Sequence, residues 1–362
     1  MTLAINQRDR TRIQISRPSH KKARRENKAV RVLDLCCGLG GLSIAARRIG
    51  MTILAGIDLD PHALKTFSRN FPEATSIEGS IRSDKVLDDC GKLLHQDEND
   101  SPFVVVSGPP CQGFSIAGPR KAGDPRNRVL IDAARAIVKM QPNCALIENV
   151  SMILAPAHDD RLTKLKGILA DGGFHVLRIL LDASEFGTPQ KRKRAFFLIT
   201  RQPLDEKRCL KELEAYKSLS KGTEETFKDL PKAAIRPDHY DDEIEYGSIN
   251  NHLAMQHSRR VMTKISKIQP GTGPMSYRRL HPTRVSNTLF SGHRAPPAHF
   301  KESRSITVRE AARLQGIPDD FRIYGSFGSQ MGQVTNAVPP ALGEAVLRVL
   351  LQLAVLPNER HG

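Results

Sequence analysis

Hydrophobic residues in the first two hundred positions fall into short solid runs separated by longer amphipathic ones. VRVLDL (30–35) has the unbroken apolar pattern of a strand buried on both faces, and GGLSIAARRIG (40–50) switches to a helical period. TILAGIDLD (52–60) reads as a second strand and PHALKTFSRNF (61–71) as a helix with proline in its first turn. FVVVSG (103–108) and CALIENV (144–150) are two more strands, separated by a helical run from about 127 to 139 and followed by a helix near 160–171. HVLRILLDA and RAFFLIT supply the last two strands of this half. Such alternation predicts an α/β domain, a mostly parallel sheet wrapped by helices, with ligands beyond the carboxyl ends of its strands.

Residues 202–276 break the rhythm. They are polar, contain the acidic knot DHYDDEIE (238–245) and balance twelve basic against twelve acidic residues, the mark of a separate, variable insert. After it, TVREAARLQG (307–316) offers a capping box, Thr307 with Glu310, and PPALGEAVLRVLLQLAVL a final apolar helix. No apolar run reaches the roughly 18 to 20 residues of a membrane span, so no membrane partner is expected. Six cysteines, at 36, 37, 90, 111, 144 and 209, fit neither a disulfide framework nor paired zinc spacing and read as free thiols.

Charge changes the picture. The formal net charge is +16, and it is segregated. Residues 1–29 carry nine Lys/Arg against Asp9 and Glu26 with no apolar period, which predicts a disordered basic arm. Residues 187–201 hold five basic residues and no acid, and residues 259–313 hold twelve against Glu302 and Glu310. A phosphate-rich partner would account for this clustering, because each neutralised phosphate releases counterions. A solvated surface is the ordinary alternative.

Three short stretches carry candidate chemistry. LDLCCGLGGLS follows the first strand and opens the first helix, so Gly38, Gly40 and Gly41 would let a ligand approach the backbone at a helix N-terminus, with Asp58 at the next strand end as a ribose ligand. A nicotinamide fingerprint would need glycine at 43, where this chain has Ser43, so an adenosyl ligand without a pyrophosphate suits the turn better. GPPCQGFS sets Cys111 behind Pro109 and Pro110 at the end of a central strand, the place for a positioned nucleophile. Cys144, inside CALIE, instead fits a small buried core residue. ENV puts Glu148 at the next strand end, where a desolvated carboxyl can donate a proton, and QKRKR sets Arg192 and Arg194 on one face of a strand start. Taken singly, each of these charged residues also fits a surface salt bridge or a cap.

Together, DLCCGLGG, GPPCQGFS, ENV, QKRKR, RRLHPTRVSNTL with TVREAARLQGIP, and QVTNAVPP resemble the DNA cytosine-5 methyltransferase family from about Val30 to Val349, the insert excepted. The resemblance implies a Rossmann-like, S-adenosylmethionine-dependent methyltransferase sheet with a smaller target-recognition domain. The expected division is an arm (1–29), a catalytic and cofactor-binding domain (30–201), a target-recognition domain (202–306) and a C-terminal segment (307–362) returning to the catalytic domain. It further implies Cys111 as nucleophile toward carbon-6 of a flipped-out cytosine, Glu148 at ring nitrogen-3 and Arg194 at the cytosine carbonyl, with Arg192 nearby. Cys36, Gly38, Gly40, Gly41, Asp58, Leu59, Ser80, Pro109 and Asn336 fall at cofactor positions, and Gln112, Ser115, Arg278 and Arg279 at DNA contacts. Double-stranded DNA is the implied partner, with the chain a monomer and a cognate restriction endonuclease possible.

The chain departs from that family at Cys36, where phenylalanine usually packs on adenine, at Ser80 in place of an aspartate, at Leu59, where a larger side chain often covers the ring, and at Thr335 in place of a glycine. An RNA cytosine-5 methyltransferase is the nearest rival, but its characteristic Cys-Phe-Thr motif is absent. A DNA-binding regulator with a silent core is the rival from another class, and the intact Cys111, Glu148 and arginine pair argue against it.

One prediction belongs to the arm. Removing residues 1–28 should lower the salt dependence of DNA binding by about one unit of log-log slope per lost phosphate contact while site preference stays the same. Titrations at several salt concentrations check this, and an unchanged slope with collapsed preference would assign sequence reading to the arm.

Overall fold

In a computed structural model the described residues are 29–95, 101–110, 128–274, 277–290 and 296–355. Seven strands form one sheet: β1 (Arg31–Leu35), β2 (Thr52–Asp58), β3 (Thr75–Glu78), β4 (Phe103–Ser107), β5 (Cys144–Val150), β6 (His175–Asp182) and β7 (Lys193–Thr200). Their order is β3-β2-β1-β4-β5-β7-β6. The first five are parallel, whereas β7 runs antiparallel to both β5 and β6. The strand order reverses between β1 and β4, and an open α/β sheet leaves its ligand crevice at that switch point. Leu35 pairs with Ser107 there, and the Ser107 hydroxyl donates to the Leu35 carbonyl at 2.7 Å, fixing the two strand ends side by side.

The solid apolar strands divide their side chains by the two-residue period. Val32, Val104, Val106, Leu146, Phe196 and Leu198 enter one core cluster, while Leu33, Leu35, Val105, Ala145, Ile147, Phe197 and Ile199 enter the other. α3 (Asp84–His95), α4 (Val129–Met140) and α5 (Asp159–Asp171) cover the second cluster. α1 (Gly41–Arg48), α2 (Pro61–Asn70) and α11 (Pro340–Ala354) contribute to the first. β3 and α3 escape the apolar pattern of the sequence because both are short on solid runs: β3 is nowhere fully buried.

The insert contains α6 (Glu206–Glu214), α7 (Thr223–Phe227), a two-stranded ladder of β8 (Ala234–Ile235) and β9 (Leu253–Ala254), and α8 (Arg259–Ser266). Its first part lies on the catalytic layers. Cys209 and Leu213 of α6 join the first core cluster, and Gln352 of α11 donates to Glu212 at 3.1 Å. The acidic knot grips α2. Lys65 bridges Asp242 and Glu243 at 2.9 and 2.8 Å, and Arg322 donates to the Asp242 carbonyl at 2.8 Å. Tyr240 stacks on Tyr246, and Arg236 covers Tyr240 at 3.5 Å. Carboxylates paired in this way neutralise basic residues of their own chain.

After the insert come α9 (Val308–Gln315), α10 (Phe327–Asn336) and α11. The expected capping box is present: Glu310 N–H donates to Thr307 Oγ1 at 3.1 Å, and Thr307 N–H to Glu310 Oε2 at 2.8 Å. The stretch Phe327–Ala354 is long and apolar enough by composition to cross a membrane, but its most apolar part is mostly buried in the protein's own core. α11 packs on α1, with Gly343 against Leu42 and Ala45, so the end of the described chain closes over its beginning.

Candidate active site and cofactor crevice

A cavity of about 990 Å³ opens over the switch point. Its walls come from the turn after β1, the ends of β2, β4 and β5, the start of β7, the loop at 288–290 and the last turn of α10 with the residues after it. Most are sequence-distant: the parallel strands deliver their carboxyl ends to this edge, and antiparallel β7 brings its first residues to it.

The glycine turn works through close packing as much as through ligand access. Gly38 N–H donates to Asp58 Oδ2 at 2.8 Å, joining the turn to the second strand end, and both residues line the cavity. Gly40, in contrast, is not among the lining residues. Its φ of 98° and the nearness of Phe71, whose ring carbon would stand 2.6 Å from an added Cβ, make it a packing glycine. A Cβ on Gly41 would stand 2.5 Å from the Val338 carbonyl oxygen, so this residue lets α1 start directly beneath the segment following α10.

Asp58 accepts from Gly38 N–H through Oδ2 and from Leu59 and Asp60 N–H through Oδ1. Burial raises its pKa above the ordinary value, and those backbone donors oppose the rise. Cys36 and Ser80 also line the cavity, as do Pro109 and Asn336. Leu59 stands on the rim, 67% exposed. Glu78 and Asp84, the carboxylates nearest Ser80 in sequence, do not line it, and Asp84 pairs with Lys139 at 2.7 Å. The Thr335 hydroxyl turns back to the Met331 and Gly332 carbonyls, so this replacement of glycine is absorbed inside α10.

Glu148 and Arg194 form the charged wall. Arg194 Nε lies 2.7 Å from Glu148 Oε1, with Glu148 6% and Arg194 9% exposed. The antiparallel register explains the meeting. Val150 pairs with Arg194 and Glu148 with Phe196, so the long arginine reaches diagonally to the same-face residue two positions back. Burial raises the Glu148 pKa, while Arg194 and then Arg192 pull it down. Arg192 is 2% exposed and donates to the carbonyls of Thr335 at 2.6 Å, Ala337 at 3.2 Å and Leu289 at 3.5 Å. It lines the cavity with its Nη1 and Nη2 groups directed at the backbone. Asn149 of the same ENV strand end donates to the Pro109 carbonyl at 3.3 Å, tying the proline lead-in to the glutamate strand. Cys111, Gln112 and Ser115 lie outside the described residues.

A second cavity of about 660 Å³ shares Lys191, Thr288, Leu289 and Phe290 with the first and is lined further by Arg278, Arg284 and His281. Arg279 lines it too, yet its guanidinium is held by the carbonyls of Ile265, Ile268, His299 and Lys301. Other arginines of the 259–313 cluster are likewise internal. Arg304 forks onto Glu310 at 2.7 and 2.8 Å, and Arg313 onto Asp319. The basic surface beside the crevice therefore reduces to residues such as Lys191, Arg278 and Arg284, all exposed.

Sequence reasoning passed over three wall residues. Asp34 is fully buried, accepts the Ser43 hydroxyl at 2.6 Å and is pushed up to about 7 by burial. Gln333 donates to Tyr324 O and Ser329 Oγ, leaving its buried Oε1 without a donor among the described residues. Asn149 is the third. The signal for Asp34 lay in LDL, a charge inside an otherwise apolar strand.

A sheet of this order, with its seventh strand antiparallel and a buried carboxylate–arginine pair beside a glycine turn, is the arrangement that the resemblance to the cytosine-5 methyltransferase family implies. The chain belongs to the C-5 cytosine-specific DNA methylase family, whose model matches residues 30–352. It is 30% identical over 338 residues to the Type II methyltransferase M1.HphI of Haemophilus parahaemolyticus, covering 89% of this chain and 86% of that one. It is 29% identical to the Type II methyltransferase M.DdeI of Desulfomicrobium norvegicum, covering 87% of each. Among solved structures it is similar to a prophage-encoded E. coli chain described as a DNA modification methyltransferase, with a TM-score of 0.73 and 25% identity over 90% of this chain and 99% of that one. S. pombe Dnmt2 methyltransferase shares the fold, with a TM-score of 0.61 and 16% identity over 90% of this chain and 99% of that one. The protein is a DNA cytosine-5 methyltransferase, and its family and fold imply S-adenosylmethionine as cofactor.

The buried Asp34 has a pH consequence. A carboxyl whose folded pKa lies above its unfolded value holds its proton more tightly when folded. That stabilisation is complete below about pH 4 and is lost as pH rises through about 7. Asp34→Asn keeps an acceptor for Ser43 but has no proton to lose. Its stability relative to the parent should therefore grow by on the order of a few kcal/mol between pH 5 and pH 8. Thermal melts of both proteins across that range check it; parallel profiles would reject it.

Proposed function

We propose that the protein methylates carbon-5 of a cytosine flipped out of double-stranded DNA, with Cys111 as nucleophile and Glu148 and Arg194 holding the base. The observation that carries this reading is the buried Glu148–Arg194 pair in the cavity wall, next to the Pro109–Pro110 lead-in to Cys111. Carbon-5 of cytosine is a weak nucleophile. Addition of the Cys111 thiolate to carbon-6, with Glu148 donating to ring nitrogen-3, makes carbon-5 enamine-like. A carboxyl can donate only while protonated, and burial favours that form. Arg194, poised at Glu148, would hold the cytosine carbonyl oxygen. Arg192 keeps company with this pair but acts through the backbone groups it binds. After methylation, loss of the carbon-5 proton to a base through water expels the thiol. A stacked base cannot reach such a wall, so flipping is required.

The residues present fit S-adenosylmethionine. Gln333 Oε1 is a buried acceptor awaiting a donor, Asp58 offers a carboxylate at the strand end, and the cavity is large enough for a cofactor and a base. When bound, the cofactor supplies an electrophilic methyl group on a sulfonium. Asp58 would hold the ribose hydroxyls, Gly38 and Gly41 would admit the ligand close to the turn, and Asn336 and Pro109 would border it. Leu59 and Cys36 would line the adenine, with Ser80 at its amino group. The second cavity, with Arg278, Arg284 and Lys191, would receive the DNA backbone, joined by Gln112 and Ser115. We read the enzyme as a monomer of a restriction-modification pair whose nuclease is a separate protein.

Two outcomes test this. DNA carrying 5-fluorocytosine at the target should trap a stable covalent adduct through Cys111, because fluorine cannot leave as a proton does; a Cys111→Ser protein that still forms it would sink the assignment. Ser80→Asp should tighten S-adenosylmethionine binding by roughly threefold to thirtyfold, since a charge-assisted hydrogen bond replaces a neutral one and no rival carboxylate from Glu78 or Asp84 lines the cavity. Calorimetric titration reads the change directly, and equal or weaker affinity would remove Ser80 from the adenine site.

A further inference from the structure

A buried guanidinium ordinarily answers a carboxylate. Arg192 is bound instead to three backbone carbonyls from two separate segments of the chain. Thr335 and Ala337 belong to the last turn of α10 and its exit, the wall assigned above to the cofactor. Leu289 belongs to the loop that walls both cavities, on the side assigned to DNA. Gln190, two residues earlier, repeats the arrangement. Its Oε1 accepts from Leu289 N–H at 3.1 Å, its Nε2 donates to Gln315 Oε1 at 2.6 Å, and Gln315 Nε2 donates to the Ala337 carbonyl. Leu289 is thus held by its N–H and its carbonyl alike, and Ala337 O accepts from two side chains at once. All of these bonds are buried.

We propose that Arg192 is a positioning residue that ties the 288–290 loop to the 335–337 segment, so that DNA bound on one side strengthens cofactor binding on the other. The proposal rests on the assignment of the two walls under the proposed function. The two arginines of QKRKR then divide their work: Arg194 faces Glu148 and the base, and Arg192 holds the two walls in one arrangement. A guanidinium suits this because its planar fork presents donors in several fixed directions, whereas an ammonium is a single point donor on a flexible stem. Two walls joined by buried cross-links, with the guanidinium bound directly to both, do not shift independently, and such a network is one physical carrier of coupling between sites.

The test is calorimetric titration of S-adenosylhomocysteine into the full chain, alone and with saturating, sheared, unmethylated DNA of mixed sequence. In the parent protein DNA should tighten binding at least about fivefold. In Arg192→Lys the DNA effect should fall below about twofold, while the affinity measured without DNA moves by no more than about threefold. A variant that weakens binding equally with and without DNA, leaving the ratio intact, would show a merely structural role and overturn the proposal. If Arg192→Lys melts below the assay temperature, Gln190→Met is read in its place, since it leaves the guanidinium and releases Leu289 N–H and Gln315. It should at least halve the DNA effect, and an unchanged effect overturns the proposal. A parent protein that binds both ligands without mutual effect overturns this inference alone, whereas one that binds no S-adenosylhomocysteine overturns the functional reading with it.

Discussion

The antiparallel pairing of β7 with β5 is the constraint on which the site depends. A parallel strand would bring its carboxyl end, Thr200, to the crevice edge. Because β7 runs the other way, its first residues arrive there, and Arg194 stands opposite Val150 within reach of Glu148. The same reversal brings Gln190 and Arg192 beneath the loop at 289 and the segment after α10. A single choice of strand direction therefore sets both the pair that would hold the base and the cross-link between the crevice walls.

Burial then gives these charges their character. Glu148 has two arginines nearby, yet desolvation still lifts its pKa above the ordinary value, so the low-dielectric wall outweighs its partners. Asp34, in the wall of the same cavity, shows the effect with only Ser43, through its hydroxyl and its backbone N–H, to oppose it. The glycine turn is part of this dry floor. Gly40 and Gly41 are small because Phe71 and the Val338 carbonyl occupy the space a side chain would need.

Charge on the outer surface is arranged as carefully as charge within. Asp242 and Glu243 of the acidic knot pair with Lys65 and Arg69, and Arg322 binds the Asp242 carbonyl. Arg279, Arg304, Arg309 and Arg313 brace neighbouring segments of the chain through carbonyls and carboxylates. Among the described residues, Lys191, Lys193, Arg278 and Arg284 leave exposed positive charge along the two cavities, which share the 288–290 wall.

The sequence by itself determined the alternation of strands and helices, the glycine turn, the capping box at Thr307 and the strand-end placement of Glu148. Each of these follows from local rules: apolar period, proline and glycine geometry, and side-chain caps. It could not count the phosphate-facing arginines, because a run of positive residues looks the same whether its members reach solvent or, like Arg279, bind the chain's own carbonyls. Local pattern does not separate Arg192 from Arg194, which sit two apart on one strand and share a face; the family resemblance gave Arg194 the base but left Arg192 without partners. Only tertiary structure decided that, by laying residues 289, 335 and 337 against one guanidinium and Glu148 against the other, since such partners lie tens to more than a hundred positions away and leave no trace in local pattern.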